Sequence, residues 1–461
     1  MDQGIARAYI AILREELVPA MGCTEPIAVA YAAAAARRLL GRTPESIHIR
    51  CSANIVKNVK GVTVPNTGGL KGIAAAAAVG ALGGDPDREL QVLQSVTPEH
   101  IEEANCFLAS GCCTTDLAEG KDGIYVEAIL RSGSDEARVV IEHTHTGISL
   151  MERNGTPILA ADSQAHANTK KPSNLVPSIS KMKSKAASAE AAPPAPATAE
   201  TDRISSDRRE YSLLNVRDIL EFAATVNLDD IAELMRGQIR MNSAIADEGL
   251  SGDYGVSVGK NLLKYGGNDL RVRARARAAA GSDARMGGCA LPVVINSGSG
   301  NQGLTVSLPV IEYAAALGCD EEKLIRALVI SNLVSLEQKE YIGKLSAYCG
   351  AVSAAVGSAA AIAWLKDGTY EQIAATIINA IATADGILCD GAKSSCAAKI
   401  ATALEAAIMA HEIGMEEGKK FADGEGLVGA DVEATIRNVG QVGSVGMRPT
   451  DLEIIKVMLK D

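Results

Sequence analysis

The spacing of apolar positions changes along the chain, and the changes divide it. Residues 1–40 carry apolar side chains at helical spacing, interrupted near MGCTEP. ESIHIRCSANIVKNVKGVTVP alternates as one or two strands do and stops at Pro65. NTGGLKGIAAAAAVGALGG then reads as an alanine helix bounded by glycine. LQVLQSV, DGIYVEAILRSG and EARVVIEHTHTGISL return to β-branched alternation with turn residues between them, which predicts a strand and a hairpin. From Tyr211 onward the spacing is i, i+3, i+4 almost throughout, as in NVRDILEFAATVNLDDIAELMRGQIRMNSAIADEG. The exception is ALPVVINSGSGNQGL, an extended run feeding a glycine-rich loop. No strands alternate with these helices, which excludes a doubly wound sheet. The predicted fold class is α+β: an α/β sandwich-like domain over residues 1–161, then a mostly α-helical domain over residues 211–461.

Between them, residues 162–210 are rich in Ser, Ala, Pro and Lys and lack apolar periodicity. Such a segment buries too little surface to offset its ordering entropy. A disordered linker is expected there, spanning about 35–40 Å root-mean-square.

Composition narrows the picture. A chain of 461 residues exceeds one ordinary core, so two domains, or three, are expected. Hydrophobic residues make up 47% but aromatics only 3%, so Ala, Ile, Leu and Val must fill the core through close helix contacts. A net charge of −11 argues against a nucleic-acid surface. The start, MDQGIARAYIAILREELVP, reads as an amphipathic helix and not as a signal peptide. AVSAAVGSAAAIAWL is too short for a bilayer, which takes roughly 20 apolar residues. A soluble, cytoplasmic protein is the expectation, and its ten cysteines are then thiols, ligands or catalytic groups.

Gly298, Gly300 and Gly303 match G-x-G-x-x-G, but no βαβ unit follows. The loop suits a nest of backbone N–H groups for an anion such as a carboxylate, or a tight turn needing positive φ. Cys51, Cys106, Cys112, Cys113 and Cys319 read as inert. Cys349 sits in SAYCGAV, while Cys389 and Cys396 bracket CDGAKSSC. Without C-x-x-C, zinc ribbons and ferredoxin-type clusters fit poorly. Three dispersed thiolates suit a 4Fe–4S cluster with one iron left open as a Lewis acid.

In MGCTEP, Pro26 starts a helix whose N-terminus faces Cys23, Thr24 and Glu25. Its positive end is expected to lower the Cys23 thiol from a reference pKa of about 8.5, making a reactive thiolate or base. A helix cap with a buried cysteine is the alternative. In HTHT, strand alternation sets His143 and His145 on one face, which suits metal binding, proton transfer or an exposed strand end. His48, His100, His166 and His411 join no constellation.

The set MGCTEP, HTHT, INSGSGNQG, KLSAYCGAVSAAVGSAAAIAWL and GILCDGAKSSCAAKI, in this order, resembles the L-cysteine desulfidase family. That family is related to the iron–sulfur L-serine dehydratases through their alpha-chain domain, and the likeness covers all but residues 162–210. The resemblance implies an oxygen-sensitive 4Fe–4S cluster held by Cys349, Cys389 and Cys396. It implies β-elimination of L-cysteine to hydrogen sulfide, ammonia and pyruvate without pyridoxal phosphate. Cys23 is then the first candidate base, with Glu25, His143 and His145 behind it. Thr24, Gly298, Gly300, Asn301 and Gln302 would position the amino acid. L-serine dehydratase is the alternative activity, and an iron–sulfur redox sensor the non-enzymatic one. The partners expected are a small amino-acid substrate and a second copy of the chain, with no nucleic acid and no membrane.

Overall fold

The N-terminal segment runs helix, strand, helix before any sheet begins. In the computed structural model, which describes residues 1–121, 123–158 and 211–458, Asp2 caps α1 (Gln3–Glu16) by accepting the Gly4 and Ile5 N–H groups. The short strand β1 (Pro19–Met21) follows, then α2 (Thr24–Leu40), an alanine-rich helix buried along nearly its whole length. The linker expected at residues 162–210 lies outside the described residues.

Next come β2 (Ser46–Cys51), α3 (Ala53–Val59), α4 (Ile73–Gly83), α5 (Pro98–Ala109) and strands β3 (Cys113–Leu117), β4 (Tyr125–Ser132), β5 (Asp135–Glu142), β6 (Ile148–Arg153) and β7 (Thr156–Pro157). The sheet order is β3-β2-β4-β5-β6-β7, with β2 and β3 parallel and the other pairs antiparallel. Alternation decides its inner face: Ile47, Ile49 and Cys51 of β2 are buried against the helical layer, where α2 crosses β4 and β5. A methyl group on Gly80 would lie 2.3 Å from the Ala30 carbonyl oxygen, so α4 and α2 meet almost backbone to backbone.

The first alternating run holds one strand and not two, and the strand expected at LQVLQSV is absent. ANIVKNV forms α3, because Ser52 leads into a turn that buries Ile55 and Val59, four apart, on one face. LQVLQSV forms a 3₁₀ turn and loop whose Leu90, Val92, Leu93 and Val96 plug the core without ladder partners among the described residues.

The C-terminal segment is helical: α6 (Val216–Thr225), α7 (Ala232–Ser251), α8 (Val258–Gly266) and α9 (Leu270–Met286), then β8 (Pro292–Val294). α10 (Gly300–Leu317), α11 (Glu321–Ile342), α12 (Gly350–Leu365), α13 (Tyr370–Ala384), α14 (Ser395–Met415), α15 (Val432–Gln441) and α16 (Arg448–Met458) complete it. The fold is therefore α+β, as the pattern predicts. α12 is buried on every side among α10, α11, α13 and α14, which its Ala, Gly and Ser content allows. Among the described residues no helix is long and apolar enough to cross a membrane.

β1 pairs antiparallel with β8, Ala20 opposite Val293. That three-residue ladder ties the first helices to the second segment, and the buried apolar residues of both form one continuous core. It also fixes MGCTEP beside NSGSGNQG, since each motif begins where one of the paired strands ends.

Candidate active site

A cavity of about 100 Å³ opens where these loops meet. Its wall is assembled from the start of α2, one face of α3, the turn after β5, the loop into α10, and the starts of α12 and α14.

One side is an acid–base corner. Glu25, only 8% exposed, accepts the Asn58 amide through Oε1 at 3.0 Å and the Cys23 thiol through Oε2 at 2.9 Å. The Thr24 hydroxyl lies 3.2 Å from the same Oε2 and 2.8 Å from the Gly298 carbonyl oxygen, and its single proton serves one of them at a time. His145 Nε2 stands 3.9 Å from Glu25 Oε1 and is otherwise without a hydrogen-bond partner among the described residues. Burial pushes the His145 pKa down, and the Glu25 carboxylate only partly offsets this, so the imidazole is neutral near pH 7.

Two expectations are corrected here. The Cys23 thiol is not activated: burial and then the Glu25 carboxylate push its pKa well above the ordinary value, outweighing Arg285. Cys23 does occupy the N-cap position of α2, but its side chain makes no capping bond and turns to Glu25 instead. HTHT, in turn, does not continue the strand. β5 ends at Glu142, and His143 takes φ 68°, which turns the chain and leaves His143 exposed while His145 is buried in the cavity wall.

The opposite side carries thiols. The Cys349 N–H donates to Ile387 O at 3.1 Å and the Cys389 N–H to Ala347 O at 2.7 Å, which sets these two cysteines side by side. Cys349 occupies the N-cap position of α12 and Cys396 lies in the first turn of α14, so two helix N-termini converge there. Burial pushes the Cys349 thiol up to about 12, with Cys389 adding to the effect, and burial raises Cys396 as well. The CDGAKSSC loop is pinned by ion pairs of Asp390 with Lys393 and Lys399; these hold the carboxyl at about 2 despite its burial. Cys23 packs against Met286, Val62, Ala392 and Cys396, so the two sides touch.

The glycine loop joins the sides. Ser297 and Gly298 have φ 49° and 72°, a turn that delivers Ser299, Asn301 and Gln302 to the cavity at the start of α10. A methyl on Gly303 would lie 2.0 Å from the Val294 carbonyl oxygen, so this glycine serves helix packing against β8. Among the described residues no βαβ unit surrounds the motif.

Residues 87–456 match the family model described as the serine dehydratase alpha chain. A UPF0597 protein of Treponema denticola is 45% identical over the whole of both chains. UPF0597 proteins of Lachnoclostridium phytofermentans and Desulfitobacterium hafniense are 45% and 46% identical, covering 98% of this chain and 99% and 96% of theirs. The chain belongs to the serine dehydratase alpha chain family.

Membership makes it a serine dehydratase-like lyase, and the dehydratases of this family are iron–sulfur enzymes. Cys349, Cys389 and Cys396 suit a cluster: three free thiols on one cavity wall, Cys349 buried and the other two half-buried, with no disulfide partner. Among the described residues no three His, Cys, Asp or Glu side chains close around a single ion. That spacing is compatible with a cubane, which holds its thiolates farther apart than one metal ion does. The cavity extends beyond the matched stretch, for Cys23, Glu25, Lys57 and Asn58 all precede Asp87.

Sequence reasoning missed four cavity residues of this serine dehydratase relative. Asn58 lies within a segment read as strand. Lys57 pairs with Asp451 and donates to the Cys389 carbonyl oxygen. Lys339 is buried near the thiols, which brings its ammonium down to about 8 against the pull of Cys389 and Cys349. Arg285 is one of many arginines in LRVRARARAAAGSDARM, and the only available signal was the pair of glycines that follows it.

Proposed function

We propose that this lyase acts on L-cysteine, eliminating sulfide to give hydrogen sulfide, ammonia and pyruvate, and that it uses a 4Fe–4S cluster. One observation carries the reading: three free thiols, that of Cys349 buried and those of Cys389 and Cys396 half-buried, face a carboxylate–imidazole pair across a cavity of amino-acid scale. Cys349, Cys389 and Cys396 would hold the cluster, which supplies, when bound, an open iron as Lewis acid for the leaving group.

The protein's own residues handle the proton. His145 is neutral, with Nε2 toward Glu25 and Nδ1 beside Gly298. Nδ1 takes the Cα proton, the electron pair forms the Cα–Cβ double bond, and sulfide leaves from Cβ. Glu25 stabilises the imidazolium that results, much as a buried carboxylate does in a hydrolase triad. The Cys23 thiol and the Asn58 amide hold Glu25 in place. Burial of His145 and Glu25 limits water at the reacting carbon. The released 2-aminoacrylate tautomerises and hydrolyses to pyruvate and ammonia. Hydrosulfide departs without prior protonation, which supports cysteine over serine as substrate.

Anaerobic reconstitution followed by pyruvate and sulfide assays tests this. Equal release of pyruvate and sulfide from L-cysteine, with slower release of pyruvate from L-serine, is expected. Faster turnover of serine would make the protein a serine dehydratase. No turnover of either by fully loaded protein would remove the lyase reading.

A further inference from the structure

Arg285 is the largest fully buried side chain among the described residues, 1% exposed on the last turn of α9. Its side chain makes no ion pair or hydrogen bond among the described residues, and Nε is buried without a partner. Two other basic residues at the cavity, Lys57 and Lys344, are paired with Asp451 and Glu16, and Lys339 lies toward the thiols of Cys389 and Cys349. A guanidinium taken out of water without an anion is strongly disfavoured, so a buried one that lines a cavity implies a ligand that completes it.

Its surroundings identify the anion. The guanidinium lies against the N-terminus of α10: a methyl on Gly300 would come within 2.3 Å of Nε and 2.8 Å of Cζ. The first N–H groups of α10 have no intrahelical acceptors, and Ser299, Asn301 and Gln302 reach the cavity there. Planar donors beside a helix N-terminus match a carboxylate. Two acceptors stand next to them. Asn301 Oδ1 and Gln302 Oε1 are buried without hydrogen-bond partners among the described residues, and they offer a place for an ammonium. We infer that Arg285 binds the α-carboxylate of a free amino acid while Asn301 and Gln302 receive its α-ammonium, so the site accepts zwitterions and rejects esters and amides. This rests on the lyase reading for its substrate but concerns binding alone.

Calorimetric titration with L-alanine, which has no leaving group, tests the inference on anaerobically reconstituted protein. Arg285→Gln is expected to weaken L-alanine binding by about 10²-fold with iron content unchanged, and Arg285→Lys to recover part of it. L-alanine methyl ester should bind parent and Arg285→Gln equally poorly. Gly300→Ala, which pushes the guanidinium aside while keeping Arg285, should also weaken L-alanine and thereby covers a failure of Arg285→Gln to fold. Unchanged L-alanine affinity in either folded variant overturns the assignment, as does a parent protein that ignores L-alanine yet turns over cysteine. A parent that binds L-alanine through Arg285 but eliminates neither cysteine nor serine would sink the lyase reading and leave the anchor standing.

Discussion

The Cys23 thiol donates to Glu25 Oε2 across 2.9 Å, and both residues line the cavity. A thiol in that position supports a base and is not itself one, since burial and the neighbouring charge both oppose the thiolate. Cys23→Ser keeps an O–H donor to Glu25 and should hold kcat within about tenfold of the parent. His145→Asn removes the imidazole and should cost about 10²-fold or more in kcat, typical of a lost general base. Exchange of the Cα proton with deuterium in recovered substrate separates the two. Loss of exchange in Cys23→Ser with retention in His145→Asn would reverse the assignment.

Replacing Cys349, Cys389 or Cys396 singly by alanine should abolish iron and acid-labile sulfide after anaerobic reconstitution while the helical circular dichroism stays that of the parent. Cys106→Ala and Cys319→Ala serve as controls and should load normally. Full iron content in all three cavity variants would mean that other residues hold the cluster.

Two glycines of α7 should respond in opposite directions to the same change. A methyl on Gly249 would sit 1.9 Å from the Ala280 carbonyl oxygen of α9, so Gly249→Ala must separate the helices and cost about 1–3 kcal/mol. A methyl on Gly237 meets no described atom within 4 Å, and Gly237→Ala should stabilise by about 0.5–1 kcal/mol through the backbone entropy of the unfolded chain. Denaturant midpoints measure both.

Asp283 predicts a pH dependence. It accepts the Gly259 N–H through Oδ2 at 3.0 Å, but burial with an unpartnered Oδ1 pushes its carboxyl from 3.8 up to about 6. Between those values the folded protein holds a proton that the unfolded chain has lost, so this group's contribution to stability falls as pH rises from about 4 to 6. Asp283→Asn keeps an acceptor for Gly259 and removes the charge. Its melting temperature should exceed the parent's by a few degrees at pH 7, on the order expected for a domain of this size, and the gap should close toward pH 4. A gap that is constant with pH would show that the Asp283 carboxyl titrates alike in the folded and unfolded protein.

Much of the fold was legible because period alone separates its parts. The β4–β5 hairpin, the alanine helix at Ile73–Gly83 and the long C-terminal helices all follow from spacing. Periodicity misled where a short element borrows its burial from elsewhere. ANIVKNV contains β-branched residues, yet its neighbours cover a single helical face, and HTHT turns at His143 because of one backbone angle that no side-chain pattern encodes. The cysteine trio was singled out through the family likeness and not through spacing, since residues so far apart in sequence meet on one cavity wall only in the folded chain. Arg285 was invisible for a related reason. In a helix bearing arginines at 271, 273, 275, 277 and 285, the first four reach Glu405, Glu412, Glu312, Asp247 and the Asn268 carbonyl, and only packing distinguishes the one without an acid.

The pairing of Pro19–Met21 with Pro292–Val294 also sets a timetable for the chain's birth. Synthesis runs from the N-terminus, so Cys23 and Glu25 leave the ribosome long before their neighbours at Gly298, and Cys396 follows later still. Contacts so distant in sequence form only after a large loop-closure cost has been met. The proton-handling corner and the thiol wall thus remain apart in every nascent chain until late in translation.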